Sequence, residues 1–266
     1  MNMSAAVSIV VGVYNGERYL AGLLDSILSQ TSPDWECVCV DDGSIDSSCN
    51  ILASYAGKDS RFKIVTRQNG GVGAARNTGL DASDSKYVMF ADQDDMLLPK
   101  AVETALVAIE SSGADVVRFQ SNRHNRVSPF VWERIFKMDA IKDVRFVPIT
   151  GGEDTAFMWE LGFMDLKMLE IHDELYWNRP SGVSFSRSVS SRYIENVFQG
   201  FQAMRDCARR HGMSRFLVCA KLLPHIFWFS LSVLGKHFSV RNLSAVVRGL
   251  ASVVFSGRAV GRAVYV

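Results

Sequence analysis

Short apolar runs separated by stretches of helical periodicity leave this chain few folds to choose from. Val7-Ser-Ile-Val-Val-Gly-Val is nearly continuous in hydrophobic residues, the mark of a strand buried in a parallel sheet. Asn15 is placed to cap a helix in which Tyr19, Leu20, Leu23, Leu24, Ile27 and Leu28 recur at helical spacing. Residues 36–40, 62–66, 86–91 and 115–120 read as further strands. Between them fall a short helix through Leu52, a helix over 73–80, and one opened by Pro99 and stopped after Ser112 by Gly113. Such alternation requires right-handed crossovers. The expected fold class is therefore α/β: a Rossmann-like, mostly parallel sheet with helices on both faces.

In sheets of this kind a ligand lies outside the carboxyl ends of the strands. Those ends carry Val13-Tyr14-Asn15, Asp41-Asp42-Gly43-Ser44 and Asp92-Gln93-Asp94-Asp95. Three carboxylates on one turn repel each other unless a cation or an arginine lies among them. Hard oxygen ligands suit Mg²⁺ or Mn²⁺, which use one or two carboxylates and complete their shell with phosphate oxygens. A solvated turn with a helix cap could use the same residues. Its place at a strand end beside Asp41 and Asp42 favours a ligand site.

Two glycine-rich segments follow. Gly70-Gly71-Val72-Gly73 comes after the third strand and not the first, so it is no dinucleotide fingerprint, and no G-x-x-x-x-G-K-[ST] occurs. Its glycines are expected to let backbone approach a ligand while Arg76 reaches a phosphate or a base. Gly151-Gly152-Glu153-Asp154 precedes the apolar helical pattern of Phe157, Met158 and Leu161, where acids also serve as ordinary dipole partners. Residues 175–186 mix aromatics, Arg179 and small residues, and read as a loop able to fold over an anionic ligand.

The formal net charge of +1 conceals an asymmetry: all 28 acidic residues lie before Cys207. Beyond it stand nine bases: Arg209, Arg210, Arg215, Lys221, Lys236, Arg241, Arg248, Arg258 and Arg262. A basic tail of this kind suggests an anionic partner. Residues 216–234 are mostly apolar, but Lys221, Pro224 and His225 interrupt them, which suits a spanning helix poorly. In 241–254 bases alternate with apolar groups. This reads as an amphipathic helix in a membrane interface, against the plainer alternative of a helical pair packed on the protein. No basic, aromatic-bearing recognition fold points to nucleic acid. Five cysteines without a C-x-x-C spacing disfavour a zinc site or disulfide framework, and no leader-like segment precedes Val7, so a reducing, cytosolic setting is expected.

With these motifs in hand, the chain resembles family 2 glycosyltransferases. The likeness rests on 7-VSIVVGVYNG, 41-DDGS, 71-GVGAARNTGL, 92-DQDD and 152-GEDT, five motifs in order within residues 6–190. It implies a GT-A fold, a nucleotide-sugar donor with UDP as the expected carrier, a divalent metal (Mn²⁺ or Mg²⁺) and inversion at the anomeric carbon. Carried over by position, Tyr14 would lie by the nucleotide, and Asp42, with Asp41, would hydrogen-bond the base. Arg76 would contact the nucleotide, and Asp92 the ribose or the metal shell. Asp94 would be the direct metal ligand, supported by Asp95. Asp154 would be the general base, with Glu153 beside it at the acceptor side. Arg179 would meet the diphosphate, and Trp132 would lie near the acceptor. Gly12 departs from the family, which has Pro or Thr there.

The resemblance implies a catalytic domain over residues 1–206 followed by a basic helical tail over 207–266. The expected activity is sugar transfer to a hydroxyl of a glycan or lipid-linked acceptor in cell-surface polysaccharide synthesis. The tail would hold the protein peripherally at the inner face of the cell membrane. Two other readings remain open from the residues alone. One is a non-catalytic nucleotide-sugar-binding or partner subunit. The other is a nucleotidyltransferase, which would want a basic phosphate loop after the first strand where Tyr14-Asn15-Gly16-Glu17 stands.

Overall fold

The computed structural model describes residues 5–123, 130–180, 190–214 and 240–255, with Leu222, Ile226, Phe229 and Ser230 as isolated positions. The chain divides into two compact units, residues 1–148 with 164–182 and residues 149–163 with 183–266. Asp206, where the charge changes, falls inside a single helix of the second unit.

The first unit is an α/β sheet. Its strands are β1 (Val7–Val13), β2 (Trp35–Asp41), β3 (Phe62–Thr66), β4 (Tyr87–Asp92), β5 (Met96–Leu97), β6 (Val116–Ser121), β7 (Arg134–Lys137) and β8 (Met168–Trp177). They stand in the order β3-β2-β1-β4-β7-β6-β8-β5. The four strands β3, β2, β1 and β4 are all parallel, as the alternation predicts. β7 then enters antiparallel between β4 and β6, and β5 pairs antiparallel with β8, so the sheet is mixed. Residues 175–177, expected in a loop, are instead the buried end of β8, held by Met96 and Leu97.

Helices cover both faces of β1. Its Val7, Ile9, Val11 and Val13 cluster with Leu20, Leu23, Leu24 and Ile27 of α1 (Leu20–Leu28). All four α1 side chains are fully buried, and burial is worth about 1.5–3 kcal/mol for each such residue. On the other face lies α3 (Val72–Asp81). A Cβ at Gly79 would collide with Val10, and one at Gly12 would come within 3.3 Å of the Ala75 Cβ. Gly12 thus departs from the family pattern at a close approach of α3 to β1. The unit is completed by α2 (Ser48–Lys58), which runs beyond the expected end at Leu52, by α4 (Ala101–Ser112) and by the short α5 (Met138–Ile141). α4 ends at a left-handed Gly113, as expected.

Asn15 does not cap α1, which begins at Leu20 after Tyr19. It sits at φ +50°, the single left-handed non-glycine residue described, and stitches two turns together. Its N–H donates to Ser44 Oγ at 3.0 Å, and its Oδ1 accepts from the Ile45 N–H at 2.9 Å. A short polar side chain that bonds locally makes this conformation tolerable.

The second unit contains α6 (Glu153–Leu161), α7 (Ser191–Arg210) and α8 (Val240–Phe255). α8 belongs to the expected amphipathic stretch. It packs on α7: Ala245, Val246 and Val253 are buried, and a Cβ on Gly249 would overlap the Phe198 ring. The buried Arg205 of α7 donates to the Val253 carbonyl at 3.0 Å. One face of α8 is therefore spent on a helical pair, while Leu243 and Val247 remain exposed. The four isolated positions apart, the 216–234 stretch lies outside the described residues. Among the described residues no helix is long and apolar enough to cross a membrane.

Candidate active site

The carboxyl ends of β1, β2 and β4 bring Tyr14, Asp41, Asp42 and the turn 92–95 to one side of the first unit, because parallel register aligns them. Tyr14 is 45% exposed. Asp41 is buried and accepts hydrogen bonds from the Ser44 N–H (3.1 Å) and the Cys49 thiol (3.0 Å). Asp42, equally buried, accepts from the Gly70 and Gly71 amides and pairs with Arg67 at 3.3 Å. Burial pushes its carboxyl up, and the two glycine amides and Arg67 work against that shift. Here the glycine-rich loop departs from expectation: its amides close on Asp42. The left-handed Gly71 (φ +87°) makes that wrap accessible.

Arg76 differs in the same way. It is 3% exposed, and its guanidinium meets the Asp92 carboxylate at 2.8 Å, with the Phe146 ring 5.4 Å away. The pair joins the start of α3 to the end of β4.

The acid turn is built from β4 and the end of β8. Asp95 is almost fully buried and accepts from Tyr176 OH (3.1 Å), Asn178 Nδ2 (3.0 Å) and the Arg179 N–H (2.9 Å). Burial, with the charges of Asp92 and Asp94, pushes its carboxyl up to about 7. Asp95 is a structural acid that organises the turn. The Arg179 Nε donates to the Asp94 carbonyl at 3.1 Å, and its guanidinium lies 5.3 Å from the Tyr19 ring and 5.8 Å from the Trp177 ring. A cation is thereby fixed beside the turn.

Asp94 is half-buried. A hydrogen bond from its own main chain reaches its carboxylate. Burial raises its pKa, the Asp92 charge raises it further, and Arg123 and Arg179 oppose both. Among the described residues no group of three or more His, Cys, Asp or Glu is arranged to hold a metal. A Mg²⁺ or Mn²⁺ that draws its other ligands from phosphate needs only one or two carboxylates. Asp94 fits that demand: it is a hard oxygen donor, half-buried, on a turn shared with Asp92.

Glu153 and Asp154 lie in the second unit, in the first turn of α6 after the left-handed Gly152. Both are buried, at 7% and 8% exposure. Glu153 Oε2 accepts the Gly151 N–H at 2.7 Å. Trp132, expected near the acceptor, is instead in the core: 3% exposed, stacked on Phe130 at 5.0 Å and on Tyr176 at 4.8 Å. With partners on both sides its ring offers an acceptor sugar no free face.

The sequence missed Gln93, Tyr176 and Asn178. Gln93 stands between two acids and carried no expectation, and the other two were absorbed into an expected loop. A partial signal was available for Tyr176: Leu175-Tyr-Trp is an apolar run that follows a short alternation over Leu169–His172.

This sheet order with this acid turn defines a GT-A type α/β protein. The family model for glycosyl transferase family 2 matches residues 8–193, and the chain belongs to that family. EpsH of Bacillus subtilis, assigned as a glycosyltransferase, is 30% identical over 235 residues, which is 76% of this chain and 67% of that protein. EpsE from the same organism, likewise assigned, is 35% identical over 92% of this chain and 97% of its own length. Other relatives are longer: the chain spans 32% of glycosyltransferase GlyA of Streptococcus pneumoniae at 41% identity over 71% of its own length. Among solved structures, S. aureus TarS 1–349 in complex with UDP-GlcNAc superposes with a TM-score of 0.77 at 20% identity, over 93% of this chain and 80% of that one. A Pyrobaculum calidifontis mannosyltransferase in complex with GDP-Man and Mn²⁺ superposes at 0.63 with 15% identity, over 97% and 89%.

Proposed function

We propose that this chain is an inverting glycosyltransferase, carrying a sugar from a nucleotide-diphosphate donor to a hydroxyl of a glycan or lipid-linked acceptor in cell-surface polysaccharide synthesis. The observation that carries the reading is the acid turn after β4, with Asp94 half-buried, Asp92 paired to Arg76, and Arg179 anchored to the Asp94 carbonyl. UDP is the carrier to test first, since the TarS structure holds UDP-GlcNAc.

Breaking the sugar–phosphate bond leaves charge on the departing diphosphate, and fixed cations stabilise charge as it develops. Arg179 fills that role, held by Asp95 through its main chain and by the Asp94 carbonyl through its Nε. Asp94, with Asp92 beside it, would hold a divalent ion, which supplies Lewis-acid neutralisation of the phosphates. Asp154 takes the proton of the acceptor hydroxyl on its carboxylate, with Glu153 at the acceptor side. Inversion in one displacement needs that base and no covalent nucleophile on the protein.

The tail supports a second element of the proposal, peripheral attachment to the inner, cytosolic face of the membrane. Residues 207–266 contain no acid, and α8 keeps Leu243 and Val247 exposed beside Arg248. Anionic lipid attracts such basic segments, and exposed apolar groups add burial.

Calorimetric titration with UDP, GDP, CDP and dTDP, each with and without Mn²⁺, tests the donor site on the wild type and on Asp94→Ala. Metal-dependent binding of one diphosphate, abolished by the substitution, is the expected result. Binding that ignores both metal and substitution removes Asp94 from its role.

A further inference from the structure

Gln93 stands between Asp92 and Asp94, where neither acid–base chemistry nor cation binding calls for an amide. Its carboxamide closes on the main chain of Tyr14. Oε1 accepts the Tyr14 N–H at 2.9 Å, and Nε2 donates to the Tyr14 carbonyl at 3.1 Å. One side-chain amide thus answers both polar groups of one residue, imitating a strand pairing between the turn after β1 and the turn after β4.

The surroundings are built for this contact. A Cβ on Gly16 would collide with Gln93 Oε1, so glycine leaves the amide its space. The next residue along, Asn15, is held left-handed and bonded to Ser44 and Ile45. The Gly16 N–H donates to the buried Ser48 Oγ at 2.8 Å. Tyr14 therefore has a main chain pinned from two sides, and the residue is 45% exposed. A flat exposed ring on a rigid backbone is a stacking platform for a nucleobase, and stacking gains most when the platform is already ordered.

We propose that Gln93 is a positioning residue for nucleotide binding. It ties the Tyr14 platform to the turn that carries Asp94, so that a single nucleoside diphosphate meets both at a fixed separation. The proposal rests on the reading of this turn as a nucleotide-diphosphate site.

The test is calorimetry on the full chain in Mn²⁺, using whichever of UDP, GDP, CDP and dTDP the wild type binds best. Four single variants are compared: Gln93→Met, which keeps side-chain length without the amide; Gln93→Asn, whose amide is too short to span; Tyr14→Ala; and Tyr55→Phe. Tyr55→Phe is the stability control, because it removes a 2.5 Å hydroxyl–carboxylate bond to Asp25 elsewhere in the unit. Both Gln93 variants are expected to raise Kd about tenfold, the scale of a lost hydrogen-bonded pair. Tyr55→Phe is expected to lower Tm and leave Kd unchanged. In a Tyr14→Ala background, Gln93→Met is expected to change Kd by less than about twofold, since coupled residues are not additive.

An unchanged Kd in Gln93→Met overturns the proposal. So does a full tenfold loss in the Tyr14→Ala background, which places Gln93 itself on the nucleotide. An equal Kd rise in Tyr55→Phe reduces the effect to stability and overturns it too. A folded wild type that binds no diphosphate removes the donor-site reading, and the proposal with it, a result distinct from the other three.

Discussion

The Tyr176 hydroxyl donates to Asp95 Oδ2 at 3.1 Å while accepting the Asp92 N–H at 3.0 Å, so one oxygen braces both ends of the acid turn. Its ring stacks on Trp132 in the core. The turn is thereby referenced to the interior of the sheet and not to solvent. Tyr176→Phe keeps the stack and deletes the brace, leaving a buried main-chain donor without its acceptor. The expected cost is about 1–3 kcal/mol of stability, read by denaturant unfolding, together with weaker Mn²⁺-dependent nucleotide binding. Unaltered metal dependence would mean that Asp95, Asn178 and Arg179 hold the turn unaided.

Asp154→Asn is expected to separate chemistry from binding. The amide is isosteric but no longer basic, so sugar transfer should fall by at least about 100-fold. The Kd for the nucleoside diphosphate should stay within error. Normal turnover would assign the base elsewhere, and Glu153→Gln would be the next variant to assay.

Acid stability should depend on Glu36. Burial alone would raise its carboxyl, but hydrogen bonds from Lys63 and Ser8 outweigh it and leave the group below the ordinary glutamate value. Because the folded pKa is depressed, the contribution is present above the unfolded value of about 4.3. It is lost as pH falls through the folded value. Thermal melts of wild type and Glu36→Gln should differ at neutral pH and converge toward pH 3. A gap that persists in acid would point to packing in place of charge.

The membrane proposal has a test that spares the fold. Leu243 and Val247 are exposed, so replacing both with serine should leave Tm unchanged. Flotation with anionic vesicles should then recover less protein than for the wild type. Equal recovery would remove α8 from any lipid contact.

The donor half of the sheet was legible because its signals are local. Each strand of β3-β2-β1-β4 is an apolar run, and each ends in residues that announce a turn. β7 was not legible: Arg134–Lys137 is four residues long, lies in a stretch without motifs, and owes its place to pairing with β4 and β6. Such long-range pairing leaves no mark in local periodicity. Asn15 misled for a related reason. An asparagine before a helical pattern signals a cap, but it also tolerates the left-handed conformation, and contacts from Ser44 and Ile45 decided between them. The site was legible as a set of acids. Which acids are structural was not, since the roles of Asp42 and Asp95 depend on amides brought in from Gly70, Gly71 and Arg179.

The place of β7 also bears on how the chain is made. The four parallel strands are complete once residue 92 has been synthesised, and the pairings among them lie within that segment. On a ribosome this parallel half can therefore assemble first, as N-terminal segments generally do. Until Arg134–Lys137 emerges, β4, the strand that leads into the acid turn, is an open edge. Lys86, next to the first residue of that edge, and the charges of Asp92, Asp94 and Asp95 just past its far end act as gatekeepers during the interval. The charges that flank β4 thus also disfavour pairing of that edge with a wrong strand.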